Sequence, residues 1–228
     1  MPLSRAELNS QSGIDTSMHQ RCSNAAKVRR VLIAVGPGDV VTMYRELLDG
    51  IESSLHMHQD FSKLVLDWCN ETGTEAHFLS WHAHREVLQD GPHTIENWPK
   101  TSLWNQGGLR YHIGEFAYGI GIVWKAIRER HNLVVVDSGT TYWIIFALLS
   151  VFNIPVIAVM HNSLWPAGFP PKRFVSRLLS SLDGFFFRHF AAATICVSPE
   201  CERQVRKVAG TLKGGIFPMP RTISFGNS

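Results

Sequence analysis

Residues 132–162, "NLVVVDSGTTYWIIFALLSVFNIPVIAVMHN", constrain the fold more than any other part of the chain. Two runs, Val134–Val136 and Val156–Val159, carry an apolar side chain at every position. A strand with one wet face alternates polar and apolar residues, so strands apolar throughout must be covered on both faces. Two of them in sequence, joined through a helix, imply parallel neighbours in one sheet with a right-handed crossover. The stretch from Trp143 to Met160 approaches the length of a membrane span, but Asn153 and Pro155 interrupt it. It reads as a buried helix, a turn and a strand.

The same grammar recurs on both sides. "RVLIAV" (Arg30–Val35) is a short β-branched run closed by "GPGD" and followed by the helical "VVTMYRELLDGIESSL". "DFSKLVLDWCNETG" sets Phe61, Leu64, Val65 and Trp68 at helical intervals before Gly73, and "TEAHFLSW" then reads as a strand. Ile113, Phe116, Ala117, Ile120, Val123, Trp124 and Ile127 mark one face of a further helix. Gly114, Gly119 and Gly121 each cost that helix about 1 kcal/mol of propensity, which close packing against another element would offset. A helix over Lys172–His189, the strand "ATICVS" and the helix "PECERQVRKVAG", with Pro199 in its first turn, complete the series. The expected fold class is α/β: a doubly wound, mostly parallel, Rossmann-like sheet of five strands or slightly more, with helices on both faces. Residues 82–112, rich in His, Pro, Gly, Trp and Asn, read as a long loop.

A chain of 228 residues with 45% hydrophobic and 18% charged residues can bury one large core. The organisation expected is a disordered lead-in over 1–27, a single domain over 28–215 and the start of an interdomain linker over 216–228. The lead-in lacks the apolar centre of a signal peptide. The formal charge of +3 comes from Lys and Arg scattered among acids, so nucleic acid is not an expected partner. Cys22, Cys69, Cys196 and Cys201 match neither a disulfide framework nor a paired zinc motif, which points to a reducing, cytoplasmic setting. His77, His82, His84 and His93 read as uncommitted histidines of a surface loop, with no metal expected. "KRFVSRLLSSLDGFFFRHF" joins Lys172, Arg173, Arg177 and Arg188 to several phenylalanines; core packing is the favoured reading, with contact to an anionic membrane surface as the alternative.

Ligands of open parallel sheets gather outside the carboxyl ends of the strands. Four such ends carry the candidates: Gly36 to Asp39, Asp137 to Thr140, His161 with Asn162, and Ser198. Gly36 and Gly38 permit close backbone approach, and the helix start at Asp39 can face a phosphate. Val41 stands where a dinucleotide fingerprint needs glycine, and no P-loop motif is present, so no cofactor is expected. "VDSGT" is not a hydrolase elbow; Ser138 is read as a helix cap or a hydroxyl-binding group. His161 is either a turn-shaping histidine or a ligand contact. Asn162, Ser163 and the aromatic wall of Trp165 favour the second.

The succession "RVLIAVGPGD", "VVVDSGTT", "IPVIAVMHNSLWP" and "ATICVSPECERQV" resembles the amino-terminal domain of GT-B glycosyltransferases, most like glycosyltransferase family 4, from about Arg30 to Pro220. The resemblance implies half of a two-domain enzyme that moves a sugar, with retention, from a nucleotide-sugar donor to a glycan or lipid-linked acceptor. It implies that Gly36, Gly38 and Asp39 lie at the donor diphosphate, that His161 contacts the donor sugar as the catalytic residue, and that Ser138, Thr140, Asn162, Trp165 and Ser198 shape the acceptor site. The family's carboxy-terminal domain, with its basic pair and acidic motif, has no counterpart in these residues, so the chain alone is expected to be inactive. A non-catalytic carbohydrate-binding module, or a subunit of a split transferase, is the alternative.

Overall fold

The computed structural model describes residues 28–51, 59–100 and 108–219; the lead-in read over 1–27 lies outside them. The chain forms β1 (Arg30–Pro37), α1 (Val40–Leu48), α2 (Gln59–Thr72), β2 (Glu75–Trp81), β3 (Glu86–Asp90), β4 (His93–Trp98) and α3 (Leu109–Arg128). It continues through β5 (Leu133–Asp137), a 3₁₀ helix (Trp143–Phe152), β6 (Val156–Met160), α4 (Phe174–His189), β7 (Ala191–Cys196), α5 (Pro199–Ala209) and β8 (Gly215–Pro218). All eight strands join one sheet in the order β3-β4-β2-β1-β5-β6-β7-β8. Every neighbouring pair is parallel except β3 with β4.

The apolar strands are buried on both faces. On β1, Leu32 and Ala34 join α3, the 3₁₀ helix, α4 and α5 in one core layer. Val31, Ile33 and Val35 face the other layer, built on α1 and α2. Fully burying a side chain of this size contributes about 1.5–3 kcal/mol, so the central strands anchor the domain. The 3₁₀ helix ends where Asn153 adopts a left-handed conformation (φ +55°), its N–H bonded to the carbonyls of Leu149 and Ser150.

Four expectations are corrected. Within 82–112, β3 and β4 form an antiparallel hairpin in register from Glu86–Asn97 to Asp90–His93, turned by Gly91 (φ +53°) and Pro92. His77 and His93 accordingly sit buried in the sheet rather than on a loop. The sheet also gains β8, whose pairing with β7 takes Ile216, Phe217 and Pro218 out of the supposed linker; residues 220–228 lie outside the described part.

The face of α3 is the third correction. Gly114, Glu115, Tyr118, Gly119, Ile122, Val123 and Ala126 turn inward, while Ile113, Phe116, Ile120 and Trp124 are 49%, 38%, 45% and 64% exposed. The glycines decide this. A Cβ on Gly119 would fall 2.7 Å from Ile145 Cδ1, and one on Gly121 2.9 Å from Trp98. Only the small-residue side of the helix fits so close to its neighbours, as expected of these two glycines, and the bulkier apolar side is turned out. The fourth correction concerns α4, which packs into the core only through its carboxy-terminal half, Gly184, Phe186 and Phe187; Phe174, Val175 and Leu178 are exposed. No helix among the described residues is long and apolar enough to cross a membrane.

Where α4 meets α5, a Cβ on Gly184 would lie 2.4 Å from the carbonyl oxygen of Val208, a backbone atom that cannot swing aside. Gly184→Ala is expected to lower stability by about 2 kcal/mol despite its better helix propensity, measured as a shift in the urea unfolding midpoint.

Candidate functional site

The strand order reverses between β1 and β5. The chain runs outward from β1 through β2 to β4, then returns across the sheet so that β5 pairs with β1 on its other side. A crevice at the carboxyl ends of the two strands is where such folds take ligands. Three of the predicted loops meet there and are laced together. A Cβ on Gly36 would sit 3.3 Å from the carbonyl oxygen of Ser138, and one on Gly139 3.7 Å from Pro37 Cδ. Ser138 Oγ accepts a hydrogen bond from the Asn162 backbone at 2.9 Å, and Thr140 Oγ1 donates to the Ala34 carbonyl at 3.2 Å.

His161 stands at the end of β6 with its side chain 10% exposed. Its Nε2 lies 3.8 Å from Asp137 Oδ2, beyond hydrogen-bond range but close enough to form an ion pair when the ring is protonated. Phe61 of α2 meets the imidazole edge-on, ring centroids 5.6 Å apart and planes at 74°. Sequence reasoning placed Asp137 only as a strand end and Phe61 only at a helical interval. Their meeting at His161 joins positions far apart in the chain.

The glycine loop is braced from behind by groups that sequence reasoning missed. Asp39 caps α1: its Oδ1 accepts from the Thr42 backbone at 3.0 Å and from Asn97 Nδ2 at 2.6 Å, and its Oδ2 from the Thr42 hydroxyl at 2.8 Å. Asn97 Oδ1 in turn accepts the Val40 N–H at 3.0 Å, and Gly38 N–H bonds the Trp81 carbonyl at 3.0 Å. Burial alone would raise the Asp39 carboxyl, but the bonds from Thr42 and Asn97 outweigh it and lower it to about 2. The start of α1 therefore already holds its own anion. Gly38 offers a ligand open space, since an added Cβ there meets nothing within 4 Å, but the Asp39 carboxylate itself is engaged in the cap.

Three other predicted residues serve the framework. Ser138 does not cap the 3₁₀ helix, whose first turn begins after Tyr142; it joins two loops and donates to Asp137 Oδ1 at 3.3 Å. Ser198 caps α5, accepting the Cys201 N–H at 3.3 Å. Trp165 is 8% exposed and bound to Gln204 of α5 through both backbone groups, at 3.1 and 2.9 Å. Its ring lines a pocket of about 310 Å³ between α4 and α5, with Arg177 and Lys207 among the other walls. Asn162, by contrast, is exposed at the rim.

A further cluster stands at the ends of β2 and β4. Lys100 Nζ lies 2.6 Å from Glu115 Oε1, both side chains 6% exposed, and 5.3 Å and 5.0 Å from the ring centres of Trp81 and Tyr118. Beside it His112 Nδ1 hydrogen-bonds the Tyr142 hydroxyl, and Thr141 Oγ1 donates to the Glu115 carbonyl at 2.7 Å. Polar and aromatic groups of this kind can fix the orientation of a small molecule.

No protein-family model matches the chain, and no curated protein sequence does. Solved structures do. Sucrose-phosphate synthase from Thermosynechococcus elongatus superposes with a TM-score of 0.58 at 12% identity over 84% of this chain and 48% of its own. An α,α-trehalose-phosphate synthase (UDP-forming) from Burkholderia vietnamiensis gives 0.55 at 10% identity, over 85% and 49%. An E. coli trehalose-6-phosphate structure bound with UDP-2-fluoro glucose gives 0.52 at 7% identity, over 78% and 42%. The chain thus spans under half the length of each of these and has the Rossmann-like fold of the GT-B glycosyltransferases.

The Asp39 cap makes a pH prediction. Unfolded, the carboxyl binds its proton near the ordinary 3.8; folded, at about 2. Its contribution is therefore complete above pH about 4 and lost as the pH falls toward 2. Asp39→Asn keeps a capping side chain but removes the charge, and is expected to flatten the pH dependence of urea unfolding within that window.

Proposed function

We propose that this chain is the acceptor-side, amino-terminal half of a retaining glycosyltransferase of the GT-B type, closest to family 4, which works with a donor-binding domain supplied in cis or in trans. The observation that carries the reading is the meeting of the Gly36–Asp39, Asp137–Thr140 and His161–Asn162 loops at the switch point between β1 and β5. In this reading His161 donates to a hydroxyl of the sugar carried by a nucleotide donor, and Asp137 holds the ring's charge and orientation. Gly36 and Gly38 let the donor diphosphate come close to the backbone; Asp39 fixes the helix start behind them. Asn162 and the Trp81, Lys100 and Tyr142 side of the rim receive a glycan or lipid-linked acceptor, while Ser138, Thr140 and Ser198 keep the loops in place and Trp165 braces the turn after β6.

Positive charge for the departing diphosphate must come from the second domain. The carboxylate at the start of α1 opposes a phosphate there, and Lys100 is engaged by Glu115. Losing one such preorganised group typically costs 100-fold or more in rate, so the chain alone is expected to show no useful transfer. The same features favour a second reading, a carbohydrate-binding module without chemistry. A soluble, cytoplasmic setting with peripheral contact to an anionic membrane is part of the proposal for a lipid-linked acceptor. The membrane contact is supported by Phe174, Val175 and Leu178 exposed beside Lys172, Arg173 and Arg177 at the start of α4.

The deciding experiment coexpresses the chain with a donor-binding GT-B domain and follows nucleotide release from a panel of nucleotide sugars. Turnover that falls about 100-fold in His161→Ala, with the melting temperature unchanged, supports the transferase; glycan binding without turnover supports the binding module. Cosedimentation with phosphatidylglycerol vesicles that Phe174→Ser/Arg173→Ser weakens at least tenfold supports the membrane contact, and equal sedimentation of both proteins removes it.

A further inference from the structure

At the opposite, amino-terminal edge of the sheet, three side chains converge from three elements. His77 projects from the first half of β2, Glu129 ends α3 and His131 lies two residues before β5. Glu129 Oε2 stands 3.1 Å from His77 Nδ1 and 3.9 Å from His131 Nε2, and one ligand atom of each residue lies within 4.8 Å of the others. Donor atoms around a tetrahedral zinc ion with bonds of 2.0–2.1 Å are separated by about 3.3 Å, so these atoms are close to the spacing that an ion between them requires.

Two independent observations point to a ligand. The His131 side chain is 0% exposed, yet neither of its ring nitrogens makes a well-aligned hydrogen bond among the described residues, the Ala126 carbonyl giving only a weak backbone contact. A buried imidazole left so costs stability unless something occupies its lone pair. The second is the far side of His77, where Nε2 lies 3.3 Å from Glu96 Oε2, a carboxylate 4% exposed. A metal-ligating histidine characteristically gives its other N–H to a carboxylate, which fixes the tautomer that leaves the first nitrogen free to ligate. Lys125 Nζ completes the frame by holding Glu96 Oε2 at 2.7 Å and Glu129 Oε1 at 3.1 Å, which leaves Glu129 Oε2 turned toward the two rings.

We propose that His77, Glu129 and His131 form a binding site for a borderline transition-metal dication, with Zn²⁺ as the preferred occupant, at the sheet edge remote from the sugar-binding crevice. Two imidazoles and one carboxylate suit zinc and its neighbours, whereas Mg²⁺ and Ca²⁺ prefer all-oxygen sites. The bound ion would tie β2, the end of α3 and the start of β5 to one centre. The proposal does not depend on the transferase reading.

The test titrates ZnCl₂ and MgCl₂ into the full chain by calorimetry and records the visible spectrum with Co²⁺. One Zn²⁺ per chain, tetrahedral Co²⁺ bands and no heat with Mg²⁺ are expected. Glu129→Gln, at a partly exposed position that should not disturb folding, is expected to weaken Zn²⁺ at least tenfold, Glu96→Gln about tenfold through His77, and His131→Asn beyond detection. Circular dichroism of each metal-free variant establishes that it is folded. No stoichiometric Zn²⁺ binding to the unaltered chain, or binding that survives in folded Glu129→Gln and is lost only in His82→Asn/His84→Asn, would overturn the proposal.

Discussion

The pairing of β1 with β5 is the contact on which the rest of the molecule depends. Its register, Val31 with Leu133 through Ala34 with Val136, sets strands from opposite halves of the chain side by side. It is sustained by side chains buried in both core layers. Everything at the crevice follows from that register. If it slipped by one residue, every side chain of β5 would change faces and both layers would lose their packing. Because the register is so strongly held, the loops that leave the two strands are positioned within van der Waals distance of each other, and Gly36 is the residue that lets them pass.

The polar groups around the crevice fall into two sets with different tasks. Asp39, Asn97, Ser80, Ser138 and Thr140 bond one another and the backbone, satisfying donors and acceptors that burial would otherwise leave at a cost of about 1–3 kcal/mol each. They make the rim rigid. His161, Asn162 and the aromatic side around Trp81 and Tyr142 are set on that frame. The helix start that elsewhere serves phosphate is filled here by the chain's own carboxylate, so this rim offers shape and hydrogen bonding in place of a free helix N-terminus.

Much of the fold was legible because its signals are local. Apolar runs such as "VVVD" and "VIAVM" declare buried parallel strands, and Pro199 after Ser198 declares a helix start. What was not legible depends on contacts or on weak patterns. β3 is an edge strand of mostly polar, exposed residues, and its turn residues make the hairpin look like loop. On α3, periodicity gives two apolar stripes, and only the depth of the neighbouring Ile145 and Trp98 selects the glycine side. The loops carrying Gly36, Ser138 and His161 stand at one rim as the strand-end rule leads one to expect, while the roles of Asp39, Ser138 and Trp165 as braces required coordinates. The pairing of His77 with Glu129 spans 52 positions, a separation at which sequence spacing carries no information.

Helix α3 touches both ends of the sheet. Twenty residues make a rod of about 30 Å. Near its start Glu115 is fastened to Lys100 and Thr141 beside the crevice; at its finish Lys125 and Glu129 are fastened to Glu96 and His77 at the far margin. A rod pinned at two such points is a spacer that sets the distance between the two margins.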